Sequence, residues 1–383
     1  MADIISILGN EIRPGDRKTL EIPVPSLYTH TQLEMPVQVI RGKKPGPVMF
    51  VSAAIHGDEI NGVEIIRRLL NQRLLRRLRG TLIAIPVVNI FGFINQSRYL
   101  PDRRDLNRSF PGSEKGSLAS RLANVFLTEI VSKCTHGIDL HTAAVHRENF
   151  PHVRAVLDDD ETKRMARAFG SPVILNSEII EGSLRKSVEA LGINILVYEA
   201  GEALRFNEVA IRAGVKGVIS VMRELEMLPA STSKKKTAVN TLASSVASDS
   251  TWVRAPQSGI VRLIKPLGSR VAENETLGLI ADPFGEQELQ VVAPYEGIVI
   301  GKTNLPLVNE GDALIHVAKM KKPASRAAPS RRVWGTSVII IRPITAISSK
   351  AEPCASPMRP GPWTAKRRTA LPGGAPALNG TKR

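Results

Sequence analysis

Twenty residues constrain this chain more than any others: Val51–Leu70, reading VSAAIHGDEINGVEIIRRLL. A run of small and β-branched apolar residues from Val48 to Ile55 stops abruptly at His56-Gly57-Asp58-Glu59, and a helical pattern begins directly after it. Strand followed by helix is the unit of an open α/β sheet, and such sheets build their sites at the C-terminal edge of the strands. Gly57 is expected to let the chain turn sharply, and Asn61 or Asp58 to cap the helix that follows. An imidazole and a carboxylate three residues apart suit zinc, which takes nitrogen and oxygen ligands and keeps a position open in catalytic sites. The same spacing also arises by chance, so its meaning depends on partners later in the chain.

A second apolar strand, Gly137-Ile138-Asp139-Leu140, ends in His141-Thr142. Zinc hydrolases typically combine two histidines and a glutamate with a water, and His56, Glu59 and His141 fill that set. Asp139 shares a strand face with His141 and can orient an imidazole, although a satisfied core carboxylate is the plainer account of it. A third strand, Gly192–Tyr198, runs into Glu199-Ala200-Gly201-Glu202. A carboxylate closing so apolar a strand needs a reason, because burial without a partner is costly. A general base is one reason, with desolvation raising its pKa toward the working pH; capping a turn is another. Glu202 is less well placed. Between the ligand strands lies Ser97–Gly112, whose prolines, glycine and dense charge mark a loop. Arginine there can hold a carboxylate in bidentate fashion or stabilise an oxyanion, with Arg108 the first candidate. A solvated surface would look similar.

In order, HGDE (56–59), DLNRSFPG (105–112), DLHT (139–142) and YEAGE (198–202) resemble the zinc-dependent succinylglutamate desuccinylase and aspartoacylase family, a branch of the metallocarboxypeptidase superfamily. Each motif is modest, but the ordered set is specific. The resemblance implies a zinc-carboxypeptidase-like α/β domain, a mixed sheet flanked by helices, over residues 41–228. It implies one Zn2+ per chain on His56, Glu59 and His141, with Glu199 acting on the attacking water. It also implies that Asn107 and Arg108 hold a substrate carboxylate. A further loop arginine polarises the scissile carbonyl in relatives; Arg98, Arg103 and Arg104 compete for that role here, and Arg103 is slightly favoured. The turn Gly182–Arg185 resembles a substrate-facing turn without fitting a pattern tightly.

Residues 1–40 read as an N-terminal β extension, and Pro229–Ser250 as a polar linker. Beyond it the sequence repeats: Ala255-Pro256-Gln257-Ser258-Gly259-Ile260-Val261 recurs as Ala293-Pro294-Tyr295-Glu296-Gly297-Ile298-Val299. Short alternating strands duplicated once predict a small all-β barrel-sandwich over 251–318. It resembles the biotinyl/lipoyl carrier fold. A carrier needs a lysine on the hairpin between its halves, and no lysine occurs from Arg270 through Gly301, so a structural or gating role is expected. In relatives a β-domain narrows access to the site.

The net charge of +16 raises the question of nucleic acid. Lys319–Arg383 holds fourteen of the Lys and Arg and one acid, leaving about +3 for the rest of the chain. That Pro-, Ala- and Ser-rich tail reads as disordered; it could bind acidic partners, but a read-through or frame-altered end with no selected role is the favoured account. The arginines between Arg67 and Arg79 lie opposite an apolar stripe (Val63, Ile66, Leu70, Leu74, Leu78), the pattern of a packed surface helix. Ser117–Ile130 repeats that logic, with Ser117 as cap. No specific nucleic-acid partner and no membrane span are expected, the two cysteines provide no disulfide framework, and the N-terminus lacks a secretory signal. A cytoplasmic home follows, and a homo-oligomer is compatible with all of this. The expected activity is zinc-dependent removal of an N-acyl group from a small carboxylate-bearing amino-acid derivative. A zinc carboxypeptidase acting on peptides is the alternative.

Overall fold

In the computed structural model, which describes residues 5–231 and 244–320, the apolar run before His56 is a central strand. The first part of the chain forms β1 (Ile5–Ile7), β2 (Asn10–Ile12), β3 (Arg17–Val24), β4 (Leu33–Arg41), β5 (Lys44–Ala53), α1 (Asn61–Leu70), β6 (Arg79–Ile85), α2 (Ile90–Ile94) and α3 (Leu118–Glu129). Next come β7 (His136–Ala143), β8 (Arg147–Ala155), α4 (Asp160–Phe169), β9 (Val173–Asn176), α5 (Leu184–Ala190), β10 (Asn194–Glu202) and α6 (Glu208–Glu224). Eight strands follow: β11 (Ser245–Arg254), β12 (Gly259–Leu263), β13 (Arg270–Val271), β14 (Thr276–Ala281), β15 (Glu288–Val292), β16 (Gly297–Thr303), β17 (Leu307–Val308) and β18 (Ala313–Met320).

The central sheet runs β9-β8-β10-β7-β5-β6-β4-β3. Strands β10, β7, β5 and β6 are mutually parallel, while β8 against β10, and β4 against β6 and β3, are antiparallel. The sheet is therefore mixed, as expected. Its middle strands are buried on both faces, which is why they read as continuous apolar runs rather than alternating ones. One face packs on α3 through Phe50, Leu122 and Phe126; the other packs on α1, α4 and α6 through Ile66, Met165 and Val218.

Helix α1 starts and stops differently from expectation. Its N-cap is Ile60, with no side-chain cap, and it ends at Leu70; a separate 3₁₀ turn carries Arg73–Arg77. Asn61 does not cap because its amide is used elsewhere: Nδ2 donates to the Ala200 carbonyl (3.1 Å) and Oδ1 accepts from the Asn207 N–H (3.0 Å). It staples the helix to the strand that bears Glu199. Ser117 does cap α3, accepting from the Ser120 N–H.

The sequence repeat reappears as a repeat of elements, with β12, β13 and β14 followed in the same order by β16, β17 and β18. They form two four-stranded layers, β15-β14-β12-β17 and β13-β16-β18-β11, around Val261, Leu277, Val299 and Leu314. The second layer does not stand apart. β11 pairs parallel with β9, β16 pairs antiparallel with β8, and Val173, Leu175, Ala247, Ile298 and Ile300 fill the seam. Ser245–Ser250, read above as linker, is thus part of a strand, and all described residues fall in one compact unit. The remaining linker positions 232–243 and the tail from 321 lie outside the described residues. No helix among the described residues is long and apolar enough to cross a membrane.

Candidate metal centre and active site

The three parallel strands β5, β7 and β10 lie side by side, so their C-terminal ends deliver one group each to a single place. Ala53 pairs with Leu140 and Glu199 pairs with His141, which brings the His56 turn, His141 and Glu199 together. Gly57 is needed here for space rather than for a left-handed turn. A Cβ on it would lie 2.0 Å from the Gly92 carbonyl carbon, while the left-handed residue of the turn is Ala54, with φ 51°.

The three candidate ligands offer atoms within 4.8 Å of one another, and all three side chains are buried. His56 Nδ1 is 2.7 Å from Glu59 Oε1, and His141 Nδ1 is 2.8 Å from Glu59 Oε2. Both outer nitrogens rest on carboxylates: His56 Nε2 on Asp105 Oδ1 at 3.0 Å, His141 Nε2 on Asp139 Oδ2 at 2.6 Å. Asp139 is in turn held by the Ser52 hydroxyl at 2.7 Å. Burial alone would lower both histidines' pKa values, but the charges of Glu59 and Asp139 and the bonds from Asp105 and Asp139 raise them. Glu59 moves the other way: burial would raise it, but the two imidazolium neighbours hold it well below the usual carboxylate range. The donor set fits a divalent cation. With each Nε2–H engaged by a carboxylate, Nδ1 is the nitrogen left to ligate, and the protons now shared with Glu59 are those a metal displaces.

These residues line a cavity of about 200 Å³ together with Arg98, Asn107, Arg108, Arg154, Arg185 and Glu199. Glu199 Oε2 accepts from Asn149 Nδ2 at 3.0 Å, and Arg154 Nε lies 3.7 Å from Oε1. Arg98 donates to Glu59 (3.2 Å) and, through two nitrogens, to Asp105 (3.0 and 3.2 Å). Arg185 is fixed on the Ser177 hydroxyl and carbonyl, both at 2.7 Å, and burial, helped by the nearby Arg154 charge, brings its pKa down to about 10. Four guanidiniums around so small a space favour an anionic occupant.

Most of the residues singled out from the sequence converge here, but two of the three competing loop arginines do not. Arg103 does not line the cavity: it is exposed, at φ 62°, on the outer side of the loop. The left-handed turn at Arg103 aims it at solvent, while Asp105 and Glu59 draw Arg98 inward. Arg104 is exposed as well, its guanidinium lying 3.8 Å from Asp102. Asn107 lines the cavity but spends its Oδ1 on the Leu184 N–H, which ties the loop to the start of α5. Sequence reasoning missed Asp105, Asn149 and Arg154. Asp105 lay within the DLNR motif, but nothing marked it as the partner of His56. The other two sit on β8, which contributes no motif.

Residues 45–225 match the model of the succinylglutamate desuccinylase/aspartoacylase catalytic domain. This stretch of the chain, which holds His56, Glu59, His141 and Glu199, is similar to that family's catalytic domain. A curated relative, the N-alpha-acetyl-L-2,4-diaminobutyric acid deacetylase of Halomonas elongata, is 24% identical over 296 residues, 75% of this chain and 86% of the relative. Among solved structures, a succinylglutamate desuccinylase/aspartoacylase from Rhodobacter sphaeroides superposes with a TM-score of 0.72 at 25% identity, covering 82% of this chain and 97% of that one. The ectoine-utilization protein EutE (DoeB) of Ruegeria pomeroyi, in its product-bound structure, shares the fold with a TM-score of 0.71 at 24% identity, covering 83% and 99%.

Proposed function

We propose that the protein is a zinc amidohydrolase that removes an N-acyl group from a small amino-acid derivative bearing a carboxylate. What carries this reading is the meeting, in one cavity of about 200 Å³, of the His56–Glu59–His141 set with Glu199 and an arginine-rich wall. Zinc held by those three residues would supply Lewis acidity toward the acyl carbonyl and a lowered pKa for water. Glu199 takes the proton of the attacking water and returns it to the leaving amine nitrogen. Arg98, braced by Asp105 and Glu59, faces the carbonyl oxygen as negative charge develops, and takes the role first given to Arg103. Arg108 and Asn107 hold the substrate carboxylate, with Arg154 and Arg185 adding positive charge behind it.

The family's named activities and the relative's acetyl substrate support acyl groups of the acetyl and succinyl kind. The test is hydrolysis by the zinc-loaded protein of N-acetyl and N-succinyl amino acids, Nα-acetyl-L-2,4-diaminobutyrate among them, beside a panel of short peptides. Turnover of N-acyl amino acids well above that of peptides is expected. Faster cleavage of C-terminal peptide bonds would overturn the reading in favour of a carboxypeptidase.

A further inference from the structure

The side chain of Glu199 receives one hydrogen bond among the described residues, from Asn149 Nδ2 at 3.0 Å. Asn149 sits on β8 between two strands of different origin. On one side it pairs with Gly201 of β10, just past a register shift that begins at Glu199. On the other it pairs with Gly301 of β16, again beside a register shift, between Val299 and Gly301. Irregularities of this kind re-aim side chains at sites. His152, not Asn149, is the direct register partner of Glu199, so a regular ladder would not have placed the Asn149 amide on that carboxylate.

The wall behind Asn149 belongs to the C-terminal strands. A Cβ on Gly301 would lie 3.0 Å from Asn149 Oδ1, 3.1 Å from His316 Cβ and 3.3 Å from the Trp252 ring. His316 is buried, and its ring stacks on Trp252 with centroids 4.7 Å apart. The pairing with Gly301 fixes the Asn149 backbone, and the glycine leaves room for its Oδ1 where any side chain would crowd it, so the amide nitrogen can face a carboxylate that only accepts.

We infer that Asn149 is a positioning residue for Glu199, and that β16 and β18 act on turnover by holding it there. This rests on Glu199 being the base. An amide donor on Oε2 leaves Oε1, which faces Arg154 at 3.7 Å, for the water, and β16 thereby backs the residue that holds the base. The arrangement also gives Gly301 a task in catalysis although it touches neither substrate nor ligand.

The experiment measures kcat, KM, zinc content and Tm for Asn149→Ala, Asn149→Asp, Gly301→Ala, the Asn149→Ala/Gly301→Ala pair and Glu199→Gln, on the N-acyl amino acid turned over fastest in the panel. Asn149→Ala should lower kcat roughly 10- to 100-fold, the range for losing a bond to a charged group, with KM held within about threefold and zinc content unchanged. Asn149→Asp, of the same shape, replaces the donor by an acceptor and should lose more. Gly301→Ala should lower kcat in the wild-type background and add nothing to Asn149→Ala, where the space is already open. If Asn149→Ala fails to fold, the isosteric Asn149→Asp decides alone. Wild-type kcat in the Asn149 variants, with Glu199→Gln inactive, overturns the inference and leaves the proposed function standing. Additive losses from Asn149→Ala and Gly301→Ala overturn the part played by β16. Retained turnover in Glu199→Gln removes the assignment of the base, and the inference with it.

Discussion

Replacing Asp139 by Asn tests whether the buried carboxylates set the metal affinity of the site. Asp139 Oδ2 lies 2.6 Å from His141 Nε2, and its other oxygen accepts from the Ser52 hydroxyl at 2.7 Å. An asparagine can keep its carbonyl on Nε2–H and turn its amide nitrogen toward Ser52, since a hydroxyl accepts as readily as it donates. The shape survives and the negative charge is lost. Without that charge the imidazole is less basic at Nδ1, the ligating nitrogen. Losing such an outer partner typically costs 10- to 100-fold in metal affinity, or about 1.4–2.7 kcal/mol. Asp139→Ala should reach the upper end, because the bond disappears with the charge. Ser52→Ala, which removes only the brace, should cost less than either. Zinc dissociation constants from competition with a chromophoric chelator provide the readout. Equal constants for the wild type and Asp139→Asn would refute the reasoning and place His141 outside the ligand set.

Glu199→Gln should keep zinc while kcat falls by roughly 10²–10⁴, the range for general acid–base catalysis; near-normal turnover would move attention to another group. Arg98→Ala should lower kcat/KM by about 10²–10³, as for loss of an oxyanion donor, and Arg103→Ala should stay within about twofold; the reverse order would restore the assignment made from sequence. In the zinc-free protein, His56 and His141 have raised pKa values. Their paired charges therefore stabilise the fold fully below the unfolded value near 6.5, and that contribution disappears as pH rises through the folded values. The Tm of chelated protein should fall as pH rises above the unfolded imidazole value near 6.5, while zinc affinity rises over the same range, because ligation requires neutral imidazoles. A Tm that rises with pH, or an affinity that ignores it, would contradict the arrangement.

The candidate metal-binding histidines and Glu199 were legible in the sequence because each stands at or just past the end of an apolar strand, and strands announce themselves by composition. His56, His141 and Glu199 each follow a run of Val, Ile, Leu and Ala long enough to be a buried parallel strand. Order along the chain then implied order at the sheet edge. The duplicated pattern after residue 250 was legible for the same reason, since Gly and Pro turns punctuate it regularly. Asn61 shows where local reading stopped: it has the chemistry of a cap, yet its amide is taken by Ala200 and Asn207, residues some 140 positions away.

The sequence by itself determined which strands exist, which faces are apolar and which side chains stand at their ends, because those properties follow from local composition and a fixed period. Only the tertiary structure decided which groups meet. Arg98 rather than Arg103 enters the cavity because one left-handed residue turns the loop and because Asp105 and Glu59 attract the inner guanidinium. Asn149 reaches Glu199 because two register shifts, on strands about a hundred residues apart in sequence, coincide beside it. The repeat beyond residue 250, readable as a self-contained unit, became part of the central sheet because β8 and β9 offered unpaired edges to β16 and β11. Edge pairing depends on which backbone groups remain unsatisfied after the rest of the chain has folded, a property that no local stretch of sequence encodes.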